Sequence, residues 1–252
     1  MRFVGIIPVR YKSTRFLGKP LVDIAGKTML QRVYEQCLKC KALDKVVIAT
    51  DDELIQKHAE ALGAEVIMTS ENHPSGTDRC FEAYTLLKEK FDVVVNIQGD
   101  EPFISPNQIE LLIKSFKKND EIATLMIACN DYETLFSEGE VKIVLDKNNY
   151  ALYFSRSVIP YLKGVPKEEW HIKHRYYRHV GMYAYRNDVL ESIAALSPTE
   201  LEKKESLEQL RWLENGFKVL CVETNEDSYC IDYPEDIERV LDYIRKNKPE
   251  LL

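Results

Sequence analysis

The stretch "FVGIIPVRYKSTRFLGKP", Phe3 to Pro20, decides how the rest of the chain is read. An apolar, β-rich run from Phe3 to Val9 stops in a loop that carries Arg10, Lys12, Arg15 and Lys19. A strand with no polar alternation is buried on both faces, as in a parallel sheet covered by helices. In open α/β sheets, ligands bind beyond the carboxyl ends of the strands. Four cations gathered at such an end repel one another, and a polyanion among them relieves that cost. Ser13, Thr14 and Gly18 allow a tight turn with several free amides, which suits phosphate. The dinucleotide pattern of three spaced glycines is absent. So is the P-loop, because Gly18-Lys19 runs into Pro20 with no glycine five residues before Gly18. The bland alternative is a solvated basic loop.

Outward from this start, short apolar runs alternate with helical patterns. "KVVIAT" (45–50), "EVIM" (65–68), "DVVVNI" (92–97) and "IATLMIA" (122–128) read as strands. Between them, "TMLQRVYEQCLKC" shows a helical apolar face, and "DDELIQKHAEALG" opens on acidic cap residues and closes on Gly63. A further helix is expected from about Thr77 to Lys88, and Pro106 can begin the next. After about residue 130, "VKIVLD", "YALYF" and "HVGMYAYR" follow with little helix between them, so the sheet is expected to become mixed or antiparallel. "ESLEQLRWLENG" reads as one helix stopped by Gly216, and a terminal helix is expected from Pro234. The expected architecture is one α/β domain over 1–252, with a mixed, mostly parallel sheet, helices on both faces, and a small subdomain near 130–185.

The 252 residues are 45% hydrophobic and 30% charged, enough for a substantial core. The net charge of -7 and pI near 5.4 argue against nucleic acid as a partner and, with the basic loop, for a small anion. No run approaches a membrane span, and no signal segment opens the sequence, so a cytoplasmic location is expected. The six cysteines fit reduced thiols there, and Cys37-Leu38-Lys39-Cys40 lies inside a helical pattern with no matching second pair.

Several motifs carry candidate chemistry. "NIQGDEP" holds Asp100 and Glu101 at the end of a buried strand, where an acid can bind Mg²⁺ together with phosphates. An acidic turn is the alternative. "SGTDR" opens a helix whose amides favour anions; Ser75 or Thr77 can cap it, and Arg79 can reach a ligand. The acids of "TDDE" are accounted for by a helix start. "YFSR" puts Arg156 just past a strand, and "KHRYYRHVGMYAYR" gathers His174, Arg175, Arg178 and His179, with Tyr183 and Tyr185 on one face. These suit a carboxylated, hydroxylated ligand. Glu208 and Gln209 lie beside the packing stripe of Leu207, Leu210 and Leu213. Asp232 precedes its helix and is less easily explained by capping than Glu235 or Asp236.

In order along the chain, "IIPVRYKSTRFLGKPL", "ATDDE", "SGTDR", "NIQGDEP", "YALYFSR", "HVGMYAYR", "LEQLR" and "IDYPEDIERV" resemble the 3-deoxy-manno-octulosonate cytidylyltransferase (CMP-Kdo synthetase) family over nearly the whole length. The resemblance implies a Rossmann-like nucleotidyltransferase fold, usually a homodimer, that makes CMP-Kdo and pyrophosphate from CTP and Kdo with Mg²⁺, for lipopolysaccharide or capsule. It implies that Arg10, Ser13 and Lys19 hold the triphosphate, that Ser75 and Arg79 lie around the nucleotide, and that Asp100 and Asp232 bind Mg²⁺. Gln98, Arg156, His179, Tyr183, Glu208 and Gln209 would line the sugar site. Arg10 and Lys19 would neutralise the leaving group. The segment 130–185 would serve sugar binding and dimerisation. Val9, Phe16-Leu17, Cys230 and Tyr233 depart from the residues usual there. A cytidylyltransferase for 8-amino-Kdo or another 2-keto sugar acid is the same-class alternative. A catalytically dead nucleotide-binding regulator and an RNA-binding protein are rivals from other classes.

Overall fold

The computed structural model describes residues 1–12, 15–227 and 229–252. Its contacts divide the chain into two compact units, Met1–Ile113 with Ser228–Leu252, and Lys114–Asp227. The segment 130–185 expected as a subdomain falls inside the second.

The first unit is built on a parallel sheet. β1 (Phe3–Pro8) pairs on one side with β4 (Lys45–Thr50) and on the other with β6 (Val93–Asn96), and β4 pairs with β5 (Glu65–Met68). Val4, Ile6, Ile7 and Val93 to Val95 have no exposed surface, as their unbroken apolar runs require. Two short strands, β2 (Asp23–Ile24) and β3 (Lys27–Thr28), form a small antiparallel hairpin after the basic loop. α1 (Met29–Lys39) is capped by Thr28, whose hydroxyl accepts from Gln31 N, and α2 (Glu53–Ala61) by Asp52, which accepts from Leu54 N and Ile55 N. α3 (Gly76–Leu86) and α4 (Pro106–Ser115) follow near their expected positions. Cys37 and Cys40 are buried and not disulfide-bonded, in and at the end of α1.

The second unit has a mixed sheet centred on β7 (Ile122–Cys129). β8 (Lys142–Leu145) and β9 (Ala151–Ser155) form an antiparallel pair, and β8 also pairs antiparallel with the eleven-residue β10 (Tyr176–Arg186). β10 runs antiparallel to β7, while β11 (Val219–Glu223) is parallel to it. Short helices α5 (Tyr132–Phe136) and α6 (Trp170–Lys173) bring Leu135 and Trp170 into a core with Cys129 and Tyr176. α7 (Asn187–Ala194) buries Val189, Leu190 and Ile193.

The helix expected over "ESLEQLRWLENG" is broken. α8 (Glu200–Glu205) ends at Ser206, which takes a left-handed φ of 54°, and α9 (Gln209–Glu214) starts afresh. The apolar spacing of Leu207 and Leu210 satisfies a helical template across the break, because a left-handed residue leaves no mark in periodicity. Gly216, at φ 84°, stops α9 as expected.

The chain then returns to the first unit. α10 (Asp236–Asn247) starts two residues after Pro234, and its apolar face joins Ile231 in a core with Ile24, Met29 and Phe103. Buried Arg32 fixes this return. Its guanidinium donates to Ile24 O, Ala25 O and Leu251 O at 2.5, 2.8 and 2.9 Å.

Candidate active site

In the first unit, the carboxyl ends of β1 and β6 open onto a cleft lined by Val9, Arg10, Lys19, Ser75, Gln98 and Asp100, among others. The loops that make it are pressed together. A Cβ on Gly99 would stand 2.4 Å from Val9 Cγ1, so the position has no room for a side chain. Gly18 sits at φ 70° and donates to Tyr11 O, turning the basic loop back on itself.

The loop's charges have different fates. Lys19, with 12% of its side chain exposed, points its ammonium between two carboxylates, 2.8 Å from Asp100 Oδ2 and 3.2 Å from Asp232 Oδ1. Burial works against its charge, but Asp100 and then Asp232 outweigh that and hold its pKa above the usual lysine value. Arg15 reaches the other oxygen of Asp232 at 3.0 Å and lies over the Tyr233 ring. Arg10 is exposed at the cleft, and Lys12 makes a solvent-exposed pair with Glu71. Ser13 lies outside the described residues.

Asp232 is held by the backbone around it. Ile231 N donates to Asp100 O at 3.0 Å, and Asp236 accepts from the N–H groups of Asp232 and Tyr233. Asp236 therefore works as an anchor for this turn, which the sequence reading assigned only to the first turn of a helix. Among the described residues, Asp100, Asp232 and Cys230 form a group of side chains close enough to share a metal ion. The two carboxylates are hard oxygen donors and fit Mg²⁺; a cysteine sulfur is soft and does not.

Ser75 caps α3. Its hydroxyl accepts from Asp78 N and donates to Asp78 Oδ2. Arg79 borders the cleft but is 3% exposed, donating to Thr69 Oγ1 at 2.6 Å with Asp51 at 3.2 Å. Burial lowers its pKa despite Asp51. Its anchoring gives it a wall-building role beside any contact with a ligand. His73 also lines the cleft, with Nε2 2.5 Å from Glu82.

The other expected residues are carried by the second unit. Arg156 spends its Nε and Nη1 on Glu205 O and Glu138 O, at 2.8 and 3.0 Å. His179 Nε2 lies 2.8 Å from Thr124 Oγ1, and its ring packs against Phe154 and Tyr183. Tyr183 and Tyr185 stack with centroids 5.8 Å apart, on one face as expected. The Tyr183 hydroxyl is buried without a hydrogen-bond partner among the described residues, and burial raises its pKa well above 10. Gln209 is buried, and Glu208 stands at the N-cap of α9. Of the basic cluster, Arg175 pairs with Glu223, and Arg178 pairs with Asp227 and Glu140.

Sequence reasoning missed Arg15 as a partner of Asp232, although the residue stood in the quoted loop. It also missed Thr124, a threonine inside an apolar run with no motif around it.

A basic loop and two carboxylates at the carboxyl edge of a parallel sheet define a class of nucleotide-handling enzyme, and the comparisons agree. Residues 4–237 match the family model described as cytidylyltransferase. The 3-deoxy-manno-octulosonate cytidylyltransferase of Parabacteroides distasonis is 52% identical over 97% of this chain and 98% of its own. The mitochondrial one of Arabidopsis thaliana is 42% identical over 97% of this chain and 84% of its own. A CMP:2-keto-3-deoxy-manno-octonic acid synthetase solved with CTP superposes with a TM-score of 0.90 at 38% identity, over 98% of this chain and 99% of that one. The chain belongs to the 3-deoxy-manno-octulosonate cytidylyltransferase family.

Proposed function

We propose that this chain transfers CMP from CTP to 3-deoxy-D-manno-octulosonate, giving CMP-Kdo and pyrophosphate. The observation that carries the reading is Lys19 held between Asp100 and Asp232 beside the N-terminus of α3. Cation, carboxylates and helix amides are the set a triphosphate and its counter-ion require.

The sugar's anomeric hydroxyl attacks the α-phosphorus in line, the new P–O bond forms, and the bond to pyrophosphate breaks. Arg10 and Lys19 neutralise the departing charge. The exposed ends of α3 and of the basic loop orient the phosphates. Asp100 and Asp232 would hold Mg²⁺, which would supply positive charge to the phosphates. Catalysis of this kind rests on positioning and charge stabilisation, and no side-chain nucleophile is needed. The family resemblance assigns recognition of the sugar acid to Gln98, Arg156, His179, Tyr183, Glu208 and Gln209.

We also propose a homodimer in the cytoplasm. The family resemblance and the exposed apolar side chains of Leu152, Tyr161 and Ile172 support the first, and six cysteines that form no disulfide support the second. Among the described residues, no helix is long and apolar enough to cross a membrane. Pyrophosphate release measured with four nucleoside triphosphates against a panel of 2-keto sugar acids, 8-amino-Kdo included, tests the substrate assignment. CTP with Kdo should dominate. Equal release without a sugar acid sinks the reading.

A further inference from the structure

β10 gains two residues on β7 at one point. Val180 pairs with Leu125, but the next pair is Tyr183 with Thr124, so Gly181 and Met182 bulge out of the ladder. The bulge turns backbone carbonyls toward Thr124, which has no exposed surface. Thr124 Oγ1 lies 2.7 Å from Met182 O and 3.4 Å from Val180 O. A hydroxyl has one hydrogen, and neither carbonyl can supply another. If that hydrogen were turned to His179, two acceptor oxygens would face each other at 2.7 Å. It is therefore spent on Met182 O, and Thr124 must accept from His179 Nε2, 2.8 Å away. The bond made by one ring nitrogen decides the state of the other.

We propose that Thr124 is a positioning residue that locks His179 as the neutral Nε2–H tautomer, so that Nδ1 offers a lone pair to a sugar hydroxyl and no proton to a carboxylate. This deepens the function proposed above and rests on it for the identity of the ligand.

The surroundings agree. His179 keeps part of its surface exposed, but its ring meets Phe154 edge to face and Tyr183 at a tilt, at 5.5 and 5.1 Å between centroids. Among the described residues, no group bonds Nδ1. Burial, helped by Arg178, opposes a positive charge on the ring. The Tyr183 ring beside it carries a buried hydroxyl that has no partner among the described residues, a second neutral polar group on this face. A pair of this kind matches a polyhydroxylated chain. The carboxylate of the same ligand needs a cation, which His179 in this state is not.

Two measurements test the lock separately from the reaction. In ¹⁵N-histidine spectra of the wild-type enzyme, His179 should show a protonated Nε2 and a bare Nδ1, unchanged from pH 5 to 8. Thr124→Val should lose that single tautomer and raise the KM for Kdo roughly tenfold, the scale of one hydrogen bond, with the KM for CTP within twofold. Thr124→Ser, which keeps the hydroxyl, should restore both. A protonated Nδ1 or an imidazolium in the wild type overturns the proposal, as does a Thr124→Val enzyme with unchanged tautomer and sugar KM. If Thr124→Val fails to fold, the wild-type spectrum and Thr124→Ser decide. The expected tautomer in an enzyme that uses no 2-keto sugar acid overturns the hydroxyl assignment and the proposed function together, and leaves the lock standing.

Discussion

The backbone N–H of Ile231 donates to the carbonyl of Asp100 at 3.0 Å. That bond, more than any strand, brings Asp232 to the cleft. The chain comes back as a loop, anchored by the buried Ile231 side chain and by Asp236, and continues into α10.

Asp232→Asn keeps the shape and removes one negative charge. Activity should fall strongly and the Mg²⁺ requirement should shift upward, with the fold intact. Activity measured across Mg²⁺ concentrations beside a thermal melt checks this. A lowered melting point with normal turnover and an unchanged Mg²⁺ curve would eliminate Asp232 as a ligand.

Asp236→Ala should act on the same turn without touching the ion. It removes the acceptor of two backbone N–H groups. The expected cost is about 0.5–2 kcal/mol of stability, with a milder rise in Mg²⁺ requirement than Asp232→Asn gives. Denaturant unfolding and the Mg²⁺ curve measure the two effects. An effect on Mg²⁺ as large as that of Asp232→Asn contradicts an anchoring role.

Lys19→Ala should lower kcat by roughly 10²-fold, the scale seen on losing one charge-stabilising donor. It also leaves Asp100 and Asp232 facing each other without their shared cation. Steady-state kinetics at saturating Mg²⁺ check the prediction, and unchanged kcat and kcat/KM would return the loop to the solvated reading.

The strands and most helix starts were legible in the sequence, because unbroken apolar runs, Asp52, Ser75 and Pro106 each act locally. Asp100 was legible as an acid at a strand's end. Arg156 was placed correctly just past β9, but not its bonds to the Glu205 and Glu138 carbonyls, which only the folded chain supplies. Arg156→Ala should therefore lower stability by about 1–2 kcal/mol as well as weaken use of the sugar acid. A melt unchanged from wild type would contradict that. The break at Ser206 and the bulge before Tyr183 were hidden for a common reason. Each is a local change of backbone geometry that leaves the apolar spacing intact, although Gly181 inside the strand was a mark of the bulge that the reading passed over.

Acid should destabilise the protein partly through His179. Burial lowers its pKa in the folded state to about 3 from an ordinary 6.5. Between those values the unfolded chain binds a proton that the folded chain refuses, so stability falls as pH drops from 6.5 toward 3. His179→Gln should flatten that part of a stability-against-pH curve measured by denaturant unfolding. A slope unchanged by the substitution would show that His179 charges freely in the fold.

The most direct test of the account follows the bond that is made. CTP, Mg²⁺ and Kdo labelled with ¹³C at its anomeric carbon are incubated with the enzyme and observed by ³¹P NMR. The account predicts a new phosphodiester of CMP whose phosphorus couples to the labelled carbon, with one pyrophosphate per product. Pyrophosphate formed without the sugar acid, or a phosphodiester without coupling to that carbon, would contradict it.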